Sequence, residues 1–330
     1  MNSFGKNYRI QIFGQSHSEF VGITMDGIPP GISIKPEDFH VDLERRKPKS
    51  KGSTPRKEAD EPQIICGVFN EKSSGAPLTI LFANQNTRSI DYERQHNVPR
   101  PGHADFVATE KFKGFEDYRG GGHFSGRLTV CLVAAGVVAK KIAAFFSENK
   151  IRFDSEVLEI GGEKDLAKGL DKAFEAKDSI GGIIECKVAG LPIGLGEPFF
   201  DSAESLISHL VFAIPAIKGI EFGSGFAAAK MFGSEHNDAI LDESGKTATN
   251  HAGGITGGIT NGNDLVFRVV VKPTSSTPKL QETLNRETGK VEAFSVKGRH
   301  DLCIALRAPV VVEAAAAIVI ADLLMENKMR

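Results

Sequence analysis

Tryptophan is absent from this chain of 330 residues, tyrosine occurs three times and cysteine four times. Cys66, Cys131, Cys186 and Cys303 stand far apart, mostly among apolar neighbours as in "IICGVF" and "LTVCLVAAG". No CxxC pair exists, which removes zinc-ribbon and dithiol chemistry and predicts free, buried thiols. An excess of charge of either sign is lacking too: the formal net charge is −2, so nothing global draws the chain to nucleic acid or to an anionic membrane. No uninterrupted apolar run reaches the ~18 to 20 residues that span a bilayer. The start, "MNSFGKNYRI", lacks the apolar centre of a signal peptide, and a cytosolic protein is expected. HExxH, GxGxxG after a strand and GxxxxGK[ST] are all missing, which argues against a zinc hydrolase, a standard dinucleotide fold and a P-loop. Phosphate binding is not excluded by any of this.

What is present is an ordinary globular composition, 41% hydrophobic and 25% charged, with 35 glycines gathered in patches such as "RGGGHFSGR" and "NHAGGITGGITNG". Glycine in patches marks backbone that turns tightly or approaches a ligand. "YRIQIF" and "VGITMDG" alternate as a half-buried hairpin does, and "EPQIICGVF" and "GAPLTILFAN" read as further strands. "KPEDFHVDLERRK" predicts a short helix with Pro36 in its first turn, and "QNTRSIDYERQHNVPRPGHADF" a long polar connection. The segment "LTVCLVAAGVVAKKIAAFFSEN" is apolar around most of its circumference and predicts a buried helix over about 128–149; "APVVVEAAAAIVIADLLMENK" predicts a second. Strands precede both helices ("IRFDSEVLEIGG", "IGGIIECKVAG" and "NDLVFRVVVKP" in the second half), with shorter helices at "LAKGLDKAFEAK" and "AESLISHLVFAI". The expected architecture is α/β (α+β): a layered β-α-β sandwich with internal pseudo-symmetry, and one domain over residues 1–330, since composition marks no linker.

Several constellations carry chemistry. The basic segment "RRKPKSKGSTPRK", residues 45–57, holds seven cationic side chains. It reads either as a solvated loop or as an anion clamp; a nucleic-acid patch is disfavoured because no aromatics for base stacking lie nearby. "GQSHS" sets Ser16 and His17 side by side where a strand ends, either a plain turn or a proton donor with a hydroxyl beside it. "RPGHAD" fixes His103 in a turn between Arg100 and Asp105; His103 with Asp105, or His300 with Asp301, could also ligate metal, but no metal-site spacing supports that and no metal is expected. "RGGGHFSGR" leads into a helix N-terminus, which suits phosphate, and "VKPTSST" pairs Lys272 with four hydroxyls.

In order along the chain, "FGQSHSEFVG", "DGIPPGI", "DLERRKP", "RPGHAD", "DYRGGGHFSGRLT", "AIKGIEFG", "NHAGGITGGITNG", "VKPTSS", "GRHDLC" and "RAPVVVEA" resemble the chorismate synthase family, from about residue 7 to residue 325. The resemblance implies an anti 1,4-elimination of phosphate from 5-enolpyruvylshikimate 3-phosphate, giving chorismate, with reduced flavin mononucleotide and no net redox change. It implies His17 as the acid that protonates the leaving phosphate, His103 as the histidine that protonates or polarises the flavin, and Asp301 as the carboxylate beside flavin N5. Ser16, Arg45, Arg46, Lys51, Arg100 and Arg127 match substrate-binding positions. His123, Phe124, Ser125, Pro215, Ala216, Gly257, Lys272, Pro273, Thr274, Ser275, Ser276 and Arg299 match flavin-binding positions. Histidine suits both proton tasks because its pKa lies near neutrality.

This chain departs from the usual GESHG and RSSARET with "GQSHS" and "HFSGRLT", and carries Lys51 near where a second loop arginine is common. Members of the family are usually homotetramers. Some reduce their flavin with NADPH and others rely on an external flavin reductase; without a dinucleotide fingerprint here, the external reductant is favoured. A serine-hydrolase reading of "GQSHS" fails because the last glycine of GxSxG is missing and another strand follows at once.

Overall fold

The computed structural model describes residues 2–48, 52–53, 58–85, 96–147, 150–296 and 300–329. Lys51, Arg299 and most of the basic segment after Pro48 lie outside the described residues.

The first half contributes β1 (Ser3–Phe4), β2 (Arg9–Gly14), β3 (Phe20–Asp26), β4 (Gln63–Cys66), the small ladder β5 (Val68–Phe69) with β6 (Lys72–Ser73), and β7 (Leu78–Ala83). Alternation places one face of these strands inside: Ile10, Val21, Ile23, Met25, Leu78, Ile80 and Phe82 are buried. Helix α1 (His40–Arg46) follows a 3-10 turn at Pro36–Phe39, α2 is Asp105–Phe112, and α3 (Thr129–Ser147) is the first long helix. The second half brings β8 (Arg152–Ile160), α4 (Leu166–Ala176), β9 (Gly182–Ala189), α5 (Ala203–Val211), β10 (Ile217–Phe222) and α6 (Gly233–His236). The hairpin β11 (Ile255–Thr256) with β12 (Ile259–Thr260), then β13 (Leu265–Val271), the hairpin β14 (Gln281–Asn285) with β15 (Lys290–Phe294), and the long helix α7 (Pro309–Met329) complete the order.

The two halves share one topology. The main sheets run β2-β3-β7-β4, with β1 added at the edge, and β8-β9-β13-β10. In each, four antiparallel strands lie in the order first, second, fourth, third along the chain. A short helix, α1 or α5, sits between the second and third strands, and a long helix, α3 or α7, follows the fourth. Helices α3 and α7 pack on each other; α3 faces the first sheet and α7 the second. Alanine permits this closeness: a Cβ at Gly136 would fall 2.4 Å from the Cβ of Ala314. The pseudo-symmetry expected from the sequence is therefore one of strand order.

Three expectations need correction. The stretch Arg119–Ser147 is apolar enough to cross a membrane by length and composition, with mean hydropathy 1.9, but 72% of its most apolar window is buried inside the sandwich. The polar connection read over residues 85–106 gives way at its end to α2, Asp105–Phe112, which the sequence reading missed; its Phe106, Val107 and Phe112 remain exposed, so it carries no periodic signal of burial. Cys131, Cys186 and Cys303 are buried, whereas Cys66, at the edge of the first sheet, is exposed.

Candidate active site

A cleft of about 600 Å³ opens where the end of α1, the turn before α2, the glycine loop before α3, the start of β10 and the segments around 272–276 and 300–307 converge. Its wall is built on backbone that only glycine adopts readily. Gly120, Gly121 and Gly122 have φ of 60°, 80° and 53°, the left-handed region where a Cβ costs energy. The Ser16 N–H donates to the carbonyl of Gly122 at 3.0 Å, joining the end of β2 to this loop. A Cβ at Gly120 would fall 2.6 Å from His17 Cδ2 and 2.8 Å from Ser16 Oγ. Thus the hydroxyl and imidazole from the strand end lie directly behind a glycine that lines the cleft. Ser16 is fully buried, and its Oγ has no hydrogen-bond partner among the described residues.

Arg46 and Arg127 share one carboxylate. Arg46 Nη2 donates to Asp60 Oδ2 at 2.6 Å, and Arg127 Nη1 donates to Asp60 Oδ1. Arg127 also donates to Asn84 Oδ1 and to the carbonyl of Ala83, and Arg46 to Thr129 Oγ1. Burial pushes the Asp60 carboxyl up, but the two guanidinium groups outweigh it and hold the group below the usual carboxylate range. One carboxylate between two buried arginines leaves the cluster with a net positive charge facing the cleft.

Across the cleft, Arg100 donates from Nε and Nη2 to Asp105 at 2.7 and 2.8 Å, and from Nη1 to Ser276 Oγ at 3.1 Å. His103 Nδ1 lies 2.5 Å from Asp105 Oδ1. Lys272 Nζ donates to the carbonyl of Gly102 at 2.8 Å and to Ser275 Oγ at 2.7 Å. Burial lowers the Lys272 pKa, and the neighbouring charge of Lys218 lowers it further. Lys218 sits at an irregularity of register in β10, two residues after Ala216, whose φ of +75° is left-handed. Bulges of this kind re-aim a side chain, here toward the cleft. The Asp301 carboxylate accepts from Arg307 Nη1 at 3.0 Å, and Arg307 Nε donates to the backbone carbonyl of Arg46.

Of the residues singled out by sequence, Arg46, Arg100, Arg127, His103 and Asp301 line this one cleft, as do His123, Phe124, Ser125, Pro215, Ala216 and the run from Lys272 to Ser276. Ser16 and His17 lie behind its glycine wall. Two of the expected site residues lie elsewhere. Arg45 turns away to pair with Glu313 of α7 and Asp42, in a cluster that includes Lys140; it does not line the cleft. Gly257 occupies the turn between β11 and β12, with open space around it. The sequence points to Asp105 only as a candidate metal ligand beside His103, and to none of Asp60, Lys218 and Arg307 as site residues. Asp60 lies in "KEADEP", which looks like a solvated acidic run, and Arg307 closes the 3-10 turn before α7, where nothing in the local pattern shows that it reaches Asp301 and Arg46.

The antiparallel sandwich thus carries a cation-rich cleft lined by His103, His123 and His300, a chemistry that suits anionic ligands. The chorismate synthase family model matches residues 8–325. A chorismate synthase of Chitinophaga pinensis is 67% identical over 325 residues, covering 98% of this chain and 97% of that protein. One from Thermococcus gammatolerans is 42% identical, with 98% of each chain covered. A crystal structure of chorismate synthase superposes with a TM-score of 0.75 at 26% identity, covering 98% of this chain and 93% of that one. The chain belongs to the chorismate synthase family.

Proposed function

We propose that the cleft binds 5-enolpyruvylshikimate 3-phosphate and reduced flavin mononucleotide, and that the protein is a lyase of the shikimate pathway making chorismate by anti 1,4-elimination of phosphate. The observation that carries this reading is the charge balance: among the described residues seven cationic side chains line the cleft (Arg46, Lys47, Arg100, Arg127, Lys218, Lys272 and Arg307) against three carboxylates (Glu58, Asp60 and Asp301), with Asp105 behind Arg100 as a fourth. A trianionic substrate beside an anionic flavin needs such an excess. The donor set fits a flavin phosphate too. Among the described residues neither Lys218 nor Lys272 is paired with a carboxylate, and the buried Ser16 hydroxyl awaits a partner.

When bound, reduced flavin supplies electron density that is lent to the reaction and returned, with no net redox change. Lys272 to Ser276, His123 to Ser125, Pro215 and Ala216 would hold it, with Arg299 outside the described residues. The chain's own groups do the rest. Arg46 and Arg127, fixed by Asp60, grip the anionic substrate; His17, behind Gly120, gives its proton to the departing phosphate. His103 holds a proton at the flavin side, and Asp301, oriented by Arg307, supplies the carboxylate there. The same reading makes the protein a cytosolic homotetramer dependent on an external flavin reductase, with NADPH as the indirect source of electrons. An anaerobic assay with dithionite-reduced flavin tests it: phosphate is released from the substrate only when the flavin is reduced. Equal release with oxidised flavin, or none with reduced flavin, rejects it.

A further inference from the structure

The turn over residues 100–105 closes around a single carboxylate. Asp105, the first residue of α2, accepts from four donors. Arg100 gives its backbone N–H at 3.1 Å and Nε–H at 2.7 Å to Oδ2, and Nη2–H at 2.8 Å to Oδ1. His103 Nδ1 completes the set at 2.5 Å from Oδ1. Burial alone raises the pKa of this carboxyl, but the hydrogen bonds from Arg100 and His103 overcome it, and Asp105 stays ionised far below the usual carboxylate range. An ionised carboxylate only accepts, so Nδ1 must carry a proton.

The position of Arg100 settles which ring nitrogen remains in play. Its Nη2 lies 3.0 Å from Nδ1 and 3.2 Å from Nε2. A point nearly equidistant from both nitrogens lies over the ring face, because in the ring plane it would overlap Cε1. The guanidinium backs the imidazole, and its 3.2 Å contact with Nε2 comes from over the ring face, leaving the in-plane side of Nε2 open. Gly121 makes the room: a Cβ there would fall 3.1 Å from Cε1 and 3.3 Å from Nε2 of His103.

We infer that Asp105 is a positioning residue that locks His103 as the Nδ1–H tautomer and leaves Nε2 to exchange a proton with a ligand in the cleft. Arg100 belongs to this support. Its Nε and both Nη atoms are engaged by Asp105 and Ser276, so it braces the imidazole and leaves the substrate grip to Arg46 and Arg127. The inference deepens the proposed function and rests on its use of His103, adding which nitrogen acts and what holds it there. The tautomer of a neutral histidine is set by the hydrogen bond made at its other nitrogen, and removing a carboxylate in this role leaves the wrong nitrogen protonated.

The test uses the full-length, 15N-labelled protein without ligands. Long-range proton–nitrogen correlation spectra at alkaline pH, with the His103 signal assigned through His103→Gln, are expected to show a protonated Nδ1 and a bare Nε2. Asp105→Asn is expected to shift that signal toward the Nε2–H form and to lower kcat by roughly 10²–10⁴-fold while KM for the substrate holds. A wild-type spectrum dominated by Nε2–H overturns the assignment, and this measurement stands even if the variant does not fold. A folded Asp105→Asn protein with unchanged tautomer and kcat overturns it equally. Should the wild type release no phosphate yet show the expected tautomer, the reaction proposal falls and the Asp105 assignment is supported.

Discussion

At the scale of single residues, the cleft is governed by carboxylates that hold cations in place. Asp60 is the clearest case, with its side chain 1% exposed and two guanidinium groups upon it. Removing one member of a buried ionic cluster leaves uncompensated charge, so Asp60→Ala is expected to cost about 3–5 kcal/mol of unfolding free energy at neutral pH. The folded pKa of Asp60 lies below its unfolded value of about 3.9, so its stabilisation is complete above pH ~4 and is lost as pH falls through the folded pKa. Denaturant titrations at stepped pH should therefore show stability falling below about pH 4 in the wild type and a shallower fall in Asp60→Asn. Parallel curves for the two proteins would reject the assignment. His17, the proposed proton donor, is the complementary case: His17→Ala is predicted to slow turnover by roughly 10²–10⁴-fold while the melting temperature barely moves. Retention of full activity would remove His17 from the mechanism.

At the scale of elements, the two long helices set the geometry of everything above them. Helix α3 receives the glycine loop at its N-terminal end, and α7 receives the segment carrying Asp301 and Arg307. Because α3 and α7 touch through Gly136 and Ala314, the close approach of the two helices depends on the absence of one methyl group. Gly136→Ala is expected to destabilise by about 1–3 kcal/mol through overpacking, since the contact includes the Cα of Ala314 and cannot be relieved by a rotamer change. Gly233→Ala, where nothing lies within 4 Å of the added atom, serves as control and should leave the melting curve unchanged. A neutral Gly136→Ala would mean that the helix pair slides freely. Arg45 belongs at this scale as well. Its bonds to Glu313, together with those of Lys140 to Glu313 and Asp42, tie α1 to α3 and α7 and so aim the next residue, Arg46, into the cleft.

For the whole molecule, the surface asks for partners. Phe199, Phe200, Phe226 and Phe232 are between 77% and 92% exposed, an unusual display for a chain that works alone. Within the proposed tetramer these side chains supply buried contact area. Phe226→Asp combined with Phe232→Asp should lower the mass measured by light scattering to that of a smaller assembly. A mass unchanged from the wild type would place the interfaces on another face.

The sequence by itself determined the periodic elements and the chemistry available to them. Alternation and apolar runs are local properties, so the principal strands, the two buried helices and the short α1 could be read from residue order, as could the clusters around His17, His103, Arg127, Lys272 and Asp301. Tertiary structure alone decided direction and pairing. Arg45 and Arg46 are neighbours on a helix that turns about 100° per residue, and only the packing of α1 against α3 and α7 sends one into a salt-bridge cluster and the other into the cleft. Asp60 meets Arg127 across 67 positions of sequence, and Asp301 and Arg46 meet through Arg307 across 261 between the latter two. Charge pairing over such distances follows from how the layers stack, which no local pattern of residues encodes.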